Sequence, residues 1–192
     1  MRRYLLADGT YGVKVGSYVA QIGNVKYTSL SEALNACQKN DTVTLLSDVE
    51  LTDALTIAAD KVITLDLNSF DISYSSDVAG EAMITNKGTL TLTGNGAVNF
   101  TYTGAVNMSK AANAISNLGN LTIDGVSVTN TTAANGQIGY AVDNYSGAVL
   151  TVESGSVTVS GSYYYDAIRM FCNSETADNT VVINGGTVGT IW

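Results

Sequence analysis

Met83-Ile84-Thr85-Asn86, Ala114-Ile115-Ser116-Asn117, Ala141-Val142-Asp143-Asn144 and Ala167-Ile168-Arg169-Met170 are four versions of one short phrase, and they begin 31, 27 and 26 residues apart. Self-similarity at a period of that size marks a solenoid in which each repeat adds one coil. A second phrase trails the first as Leu90-Thr91-Leu92, Leu121-Thr122-Ile123, Leu150-Thr151-Val152 and Val181-Val182-Ile183, with Leu65-Asp66-Leu67 as an earlier member. A third starts at Gly96-Ala97-Val98, Gly125-Val126, Gly155-Ser156-Val157 and Gly186-Thr187-Val188. Apolar and polar residues alternate at the period of a half-buried strand. Three short strands per repeat, each adding the same apolar residues to a common interior, require a coil with three faces.

Upstream of the repeats, Ser29-Leu30-Ser31-Glu32 has the pattern of a capping box, and Leu30, Ala33, Leu34 and Cys37 follow at helical spacing. One short helix is expected here, ending near residues 39–41. The expected fold is therefore all-β, a right-handed parallel β-helix of roughly six turns and on the order of 30 Å long, opened by one capping α-helix. Residues 1–26 read as a strand or hairpin, or as the tail of an upstream module; 27–41 as the cap; and 42–192 as the coil. The sequence ends in mid-pattern at Gly186-Thr-Val-Gly-Thr-Ile-Trp192 with no sealing helix, which predicts an uncapped end open to adjoining modules or to end-to-end self-association through Trp192.

Composition narrows the function. Seventeen acidic against nine basic residues give a net charge of −8, which opposes a grip on nucleic acid or on anionic lipid. No run approaches the ~20 apolar residues of a membrane span. Histidine is absent, which removes Ser-His-Asp and Cys-His nucleophiles and most zinc sites. Cys37 and Cys172, the only two cysteines, form no framework, and the expected topology puts them at opposite ends of the coil, too far apart to bridge.

The segment Tyr27-Thr-Ser-Leu-Ser-Glu-Ala-Leu-Asn-Ala-Cys-Gln-Lys-Asn-Asp-Thr-Val-Thr-Leu-Leu-Ser-Asp-Val49 resembles the opening of the pectate-lyase-like β-helix superfamily, in which a helix seals the first turn. Asn117-Leu-Gly-Asn-Leu-Thr-Ile-Asp-Gly125 and Asn179-Thr-Val-Val-Ile-Asn-Gly-Gly-Thr187 resemble turns of β-helix modules in large, adhesin-like surface proteins of gut bacteria. The resemblance implies an extracellular or cell-surface location, with any signal or anchor outside this chain. It also implies polysaccharide chemistry in relatives that place carboxylates, Ca²⁺ or a basic residue on the outer face of neighbouring turns.

Measured against that implication, the first phrase puts Thr85, Ser116, Asp143 and Arg169 outward, so Asp143 and Arg169 become stacked neighbours. A cross-strand ion pair of little energetic weight is one reading; a lyase or glycosidase using Asp143 and Arg169 with Asp124 or Glu153 is the other. Asp124 and Glu153, one repeat apart, could also give a weak Ca²⁺ site, or could be turn residues, and no other metal or cofactor is expected. The outward file Thr91, Thr122 and Thr151 is similar to the threonine arrays of ice-binding β-helices, although Val182 ends it. Asn86, Asn117 and Asn144 recur at one corner and are expected to form an internal ladder that Met170 breaks.

Tyr163, Tyr164 and Tyr165, with Tyr140 and Tyr145 one turn earlier, make the best binding candidate, since a phenol offers both an apolar face and a polar tip to a glycan or a protein surface. Corner loops at 102–111 and 131–139 are further places for recognition. The sequence leans away from catalysis. It favours an adhesin, stalk or carbohydrate-binding segment whose partner is a glycan or a host or cell-surface protein.

Overall fold

The computed structural model describes residues 2–5, 11–14, 17–132, 136–161, 166–172 and 178–192. From Asp41 onward the chain is a parallel β-solenoid. Three sheets form its faces, and each stacks six parallel strands. The first face runs Leu55–Ile57, Ala82–Asn86, Asn113–Asn117, Val142–Tyr145, Asp166–Phe171 and Thr190–Ile191. The second holds the Leu-Thr-Leu phrases from Asp41–Leu45 to Thr180–Ile183, and the third runs from Val49–Glu50 to Thr187–Val188.

The registers are those that the repeated phrases predict. Ile84 pairs with Ile115, Ile115 with Val142 and Val142 with Ile168, while Leu90, Leu121, Leu150 and Val181 form a second file. Most of these residues are fully buried and belong to one continuous core. On the outside of the second face Thr42 and Thr64 extend the file of Thr91, Thr122 and Thr151 to five rungs before Val182 interrupts it. Such files stabilise the sheet by cross-strand contact.

The helix spans Leu30–Ala36, with Ser29 as its N-cap, and it lays Leu30, Ala33, Leu34 and Cys37 on the core. It stops earlier than the expected 39–41. The Gln38 N–H is taken by Asp41 Oδ2 at 2.8 Å, and Asn40 adopts φ +67°, so the chain turns into its first coil strand at once. Ala20–Ile22 pairs antiparallel with that strand and with Val25–Tyr27, which covers the sheet edge beside the helix. Arg2–Leu5 and Tyr11–Lys14 form a separate hairpin. At the other end Val182, Ile183, Ile191 and Trp192 are exposed, Trp192 by 69%. Both cysteines are free, Cys37 buried and Cys172 exposed.

The asparagine ladder is present and completely buried. Asn86 Nδ2 donates to Asn117 Oδ1 at 2.8 Å, and Asn117 Nδ2 donates to Asn144 Oδ1 at 2.7 Å. Each amide also donates to a backbone carbonyl of the following turn: Asn120, Val149 and Thr180 respectively. Polar groups survive inside an apolar coil because each finds a partner.

Candidate functional site

The first face is unlike the other two. Second- and third-face strands alternate buried and part-exposed residues, whereas Asn113–Asn117 is buried at all five positions. The reason lies in what the outward residues do. Asp143 and Arg169 are register partners, as expected, but Asp143 is 0% exposed, and the expectation of a solvated surface pair does not hold. Arg169 Nε donates to Asp143 Oδ1 at 2.8 Å, and its Nη2 donates to Asp143 Oδ2, so the contact is a bidentate fork. Asn113 Nδ2, from the turn before, adds a bond to Asp143 Oδ2 at 3.2 Å and one to Ser116 Oγ at 3.3 Å.

Aromatic rings hold the guanidinium from both sides. Its Cζ lies 4.6 Å from the Tyr140 ring centroid and 4.7 Å from that of Phe171, within the range of a cation–π contact. Tyr145 packs edge-on against Phe171, with centroids 5.4 Å apart. Burial opposes the Arg169 charge, but the hydrogen bond and charge of Asp143 outweigh it, and the pKa rises above its ordinary value. Burial pushes Tyr145 up, with the Asp143 charge adding to it, and burial likewise raises Tyr140. All three therefore keep their protons through neutral pH.

Beside this cluster opens a cleft of about 480 Å³, lined on one side by Tyr145, Phe171, Arg169 and Asn113 and on the other by Ala79, Gly80, Ser109, Lys110 and Ala111. Its far wall is the corner loop expected to carry recognition, and that wall is pinned. Gln137 is fully buried; its Oε1 accepts from the Asn107 N–H at 2.7 Å and its Nε2 donates to the Lys110 carbonyl at 2.9 Å. The Lys110 stem crosses Gly80 so closely that a Cβ there would stand 3.3 Å from Lys110 Cδ.

Of the aromatic residues expected to bind, Tyr145 lines the cleft, and Tyr140 lies 3% exposed beneath Arg169 as its support. Tyr163, Tyr164 and Tyr165 fall outside the described residues. Asp124 and Glu153 are elsewhere, at the corner after the second face, where Asp124 accepts from Ser154 Oγ and Glu153 from Asn184 Nδ2. They do not join Asp143. Among the described residues no three His, Cys, Asp or Glu side chains gather as a metal site, and no helix is long and apolar enough to cross a membrane.

Sequence reasoning missed Phe171, Lys110, Asn113 and Gln137. Phe171 had a signal, because it sits two residues after Arg169 and in register with Tyr145. Comparison with models of protein families, with curated proteins and with solved structures gives no match, so the functional reading rests on the cleft itself.

Proposed function

We propose that this chain is a non-enzymatic recognition module of a secreted or cell-surface bacterial protein, built on a pectate-lyase-like coil, and that its first-face cleft binds a glycan as part of an adhesin or carbohydrate-binding segment. The observation that carries this reading is the cleft itself, where aromatic edges and fixed nitrogen donors share one wall. Sugar rings need both an apolar surface and oriented donors, and side chains held by stacked strands lose little freedom on binding. Tyr145 and Phe171 supply the first, and Arg169, locked by Asp143, supplies the second.

The competing reading is depolymerisation, which in a glycosidase needs two carboxyl groups facing each other across the scissile bond. Asp143 is closed off by Arg169 and Asn113, and no acidic side chain lines the cleft among the described residues. Tyr145, with its pKa raised, is a poor base at neutral pH.

Neutral and acidic polysaccharides incubated with the protein are expected to keep their chain length, while immobilised glycans retain it and Phe171→Ala weakens retention. Shortened products that disappear with Asp143→Asn would move the protein to the enzymes.

A further inference from the structure

Resting on the glycan reading above, we infer that the cleft selects sugars bearing an anionic group, a carboxylate or a sulfate, and that Lys110 is the residue that makes the selection. Only nine residues of this chain are basic against seventeen acidic, yet two of the nine, Lys110 and Arg169, line the cleft. Arg169 is matched by Asp143, so that pair contributes geometry with no net charge. Lys110 forms no ion pair among the described residues and is exposed. The uncompensated charge of the cleft is therefore one ammonium group.

That ammonium is positioned rather than loose. Lysine ordinarily loses considerable rotamer freedom when it is fixed by a ligand. Here Gln137 clasps the turn from both of its ends, through the Asn107 N–H and the Lys110 carbonyl, and the Lys110 stem rests across Gly80. The cation thus stands opposite the wall formed by Arg169, Tyr145 and Phe171. Arginine carries more N–H donors than the fork to Asp143 uses, so an oxyanion set between the two walls can meet nitrogen from both sides. A neutral sugar would use the rings and Arg169 but would leave Lys110 without a counter-charge.

The experiment presents each of several oligosaccharide backbones in neutral, carboxylated and sulfated form and measures Kd for the full chain by calorimetry at low and high salt. A carboxylated or sulfated form is expected to bind at least about tenfold tighter than its neutral counterpart, the size of one added charge-assisted hydrogen bond. The preference should shrink at high salt, because Lys110 is exposed. Lys110→Met keeps the apolar stem over Gly80; it is expected to abolish the preference while leaving binding of the neutral form, whereas Lys39→Met, remote from the cleft, leaves the preference intact. Neutral and anionic forms bound alike, or a preference that survives Lys110→Met, would overturn the inference and leave glycan binding standing. Failure of every glycan to bind would overturn both. Whether the carboxylated or the sulfated arm dominates identifies the anion.

Discussion

Asp143 has no contact with water, and nearly everything around it donates to it. Taking a carboxylate out of water is costly, and a pair in this position stabilises chiefly by keeping its two members from being left alone. Asp143→Ala is therefore expected to cost about 3 kcal/mol, because the Arg169 guanidinium stays in place with its partner gone. The double variant Asp143→Leu with Arg169→Met should return to within about 1 kcal/mol of the native chain while losing glycan binding. Urea titration of the two variants checks this; a loss below about 1 kcal/mol for Asp143→Ala would make the pair an ordinary surface contact. Proton linkage gives a second expectation. Tyr74, Tyr140, Tyr145 and Cys37 all have raised pKa values, burial being the first cause in each. The folded state therefore favours their protonated forms. Their contribution is complete below the ordinary values and is lost as pH climbs through the folded ones. Urea midpoints should hold steady at neutral pH, begin to fall above about pH 8.5 with Cys37, and fall more steeply above about pH 10 as the tyrosines follow. A midpoint unchanged through the alkaline range would show that burial does not perturb these groups.

The strand ladders carry the next level of organisation, and the asparagine corner shows how tightly they are tied. Asn117 sits mid-ladder, accepting from Asn86, donating to Asn144 and donating again to the Val149 carbonyl. Its truncation strands polar groups on two neighbouring turns at once, so Asn117→Ala should cost about 3 kcal/mol, whereas Asn99→Ala, outward on the third face, should stay within about 0.5 kcal/mol. Equal losses in the two variants would mean that the ladder does not stabilise the coil. The ladder is legible in the amino-acid sequence, because a corner that repeats an amide in three successive turns can be read by aligning the turns. The same alignment predicts the Asp143–Arg169 register. Depth is what it cannot predict. Alternation at period two assigns Asp143 to the outside of a sheet, and only the packing of Tyr140, Asn113 and Arg169 around it turns that outside into an interior. Lys110 and Gln137 stay hidden for a related reason: both lie in corner insertions, where the repeat lapses and periodicity carries no information.

At the scale of the molecule the coil is close to one-dimensional, since each turn touches mainly the turn before and the turn after. Stability should then vary along the axis with the number of covered neighbours. The first turn is covered by the helix residues Leu30, Ala33, Leu34 and Cys37, and the middle turns have neighbours on both sides. The last turn has a neighbour on one side only, and the exposure of Ile183, Ile191 and Trp192 records the difference. Local opening requires little apolar surface to be uncovered where that surface is already wet. Amide exchange should accordingly be graded along the axis. The Ile115 N–H, bonded to the Ala141 carbonyl, and the Asn120 N–H, bonded to that of Gly88, are expected to exchange only through global unfolding. The Trp192 N–H, bonded to the Ile168 carbonyl, should exchange by fraying of the last turn, orders of magnitude faster. The cleft lies between these limits, because Arg169 and Phe171 belong to the turn that the last one covers. Protecting the final turn, by adjoining chain or by a bound partner, should slow exchange at Arg169 and Phe171 as well and tighten glycan binding. If exchange proves uniform from Ile115 to Trp192, the coil unfolds as a single cooperative unit, and that link between its end and its cleft is lost.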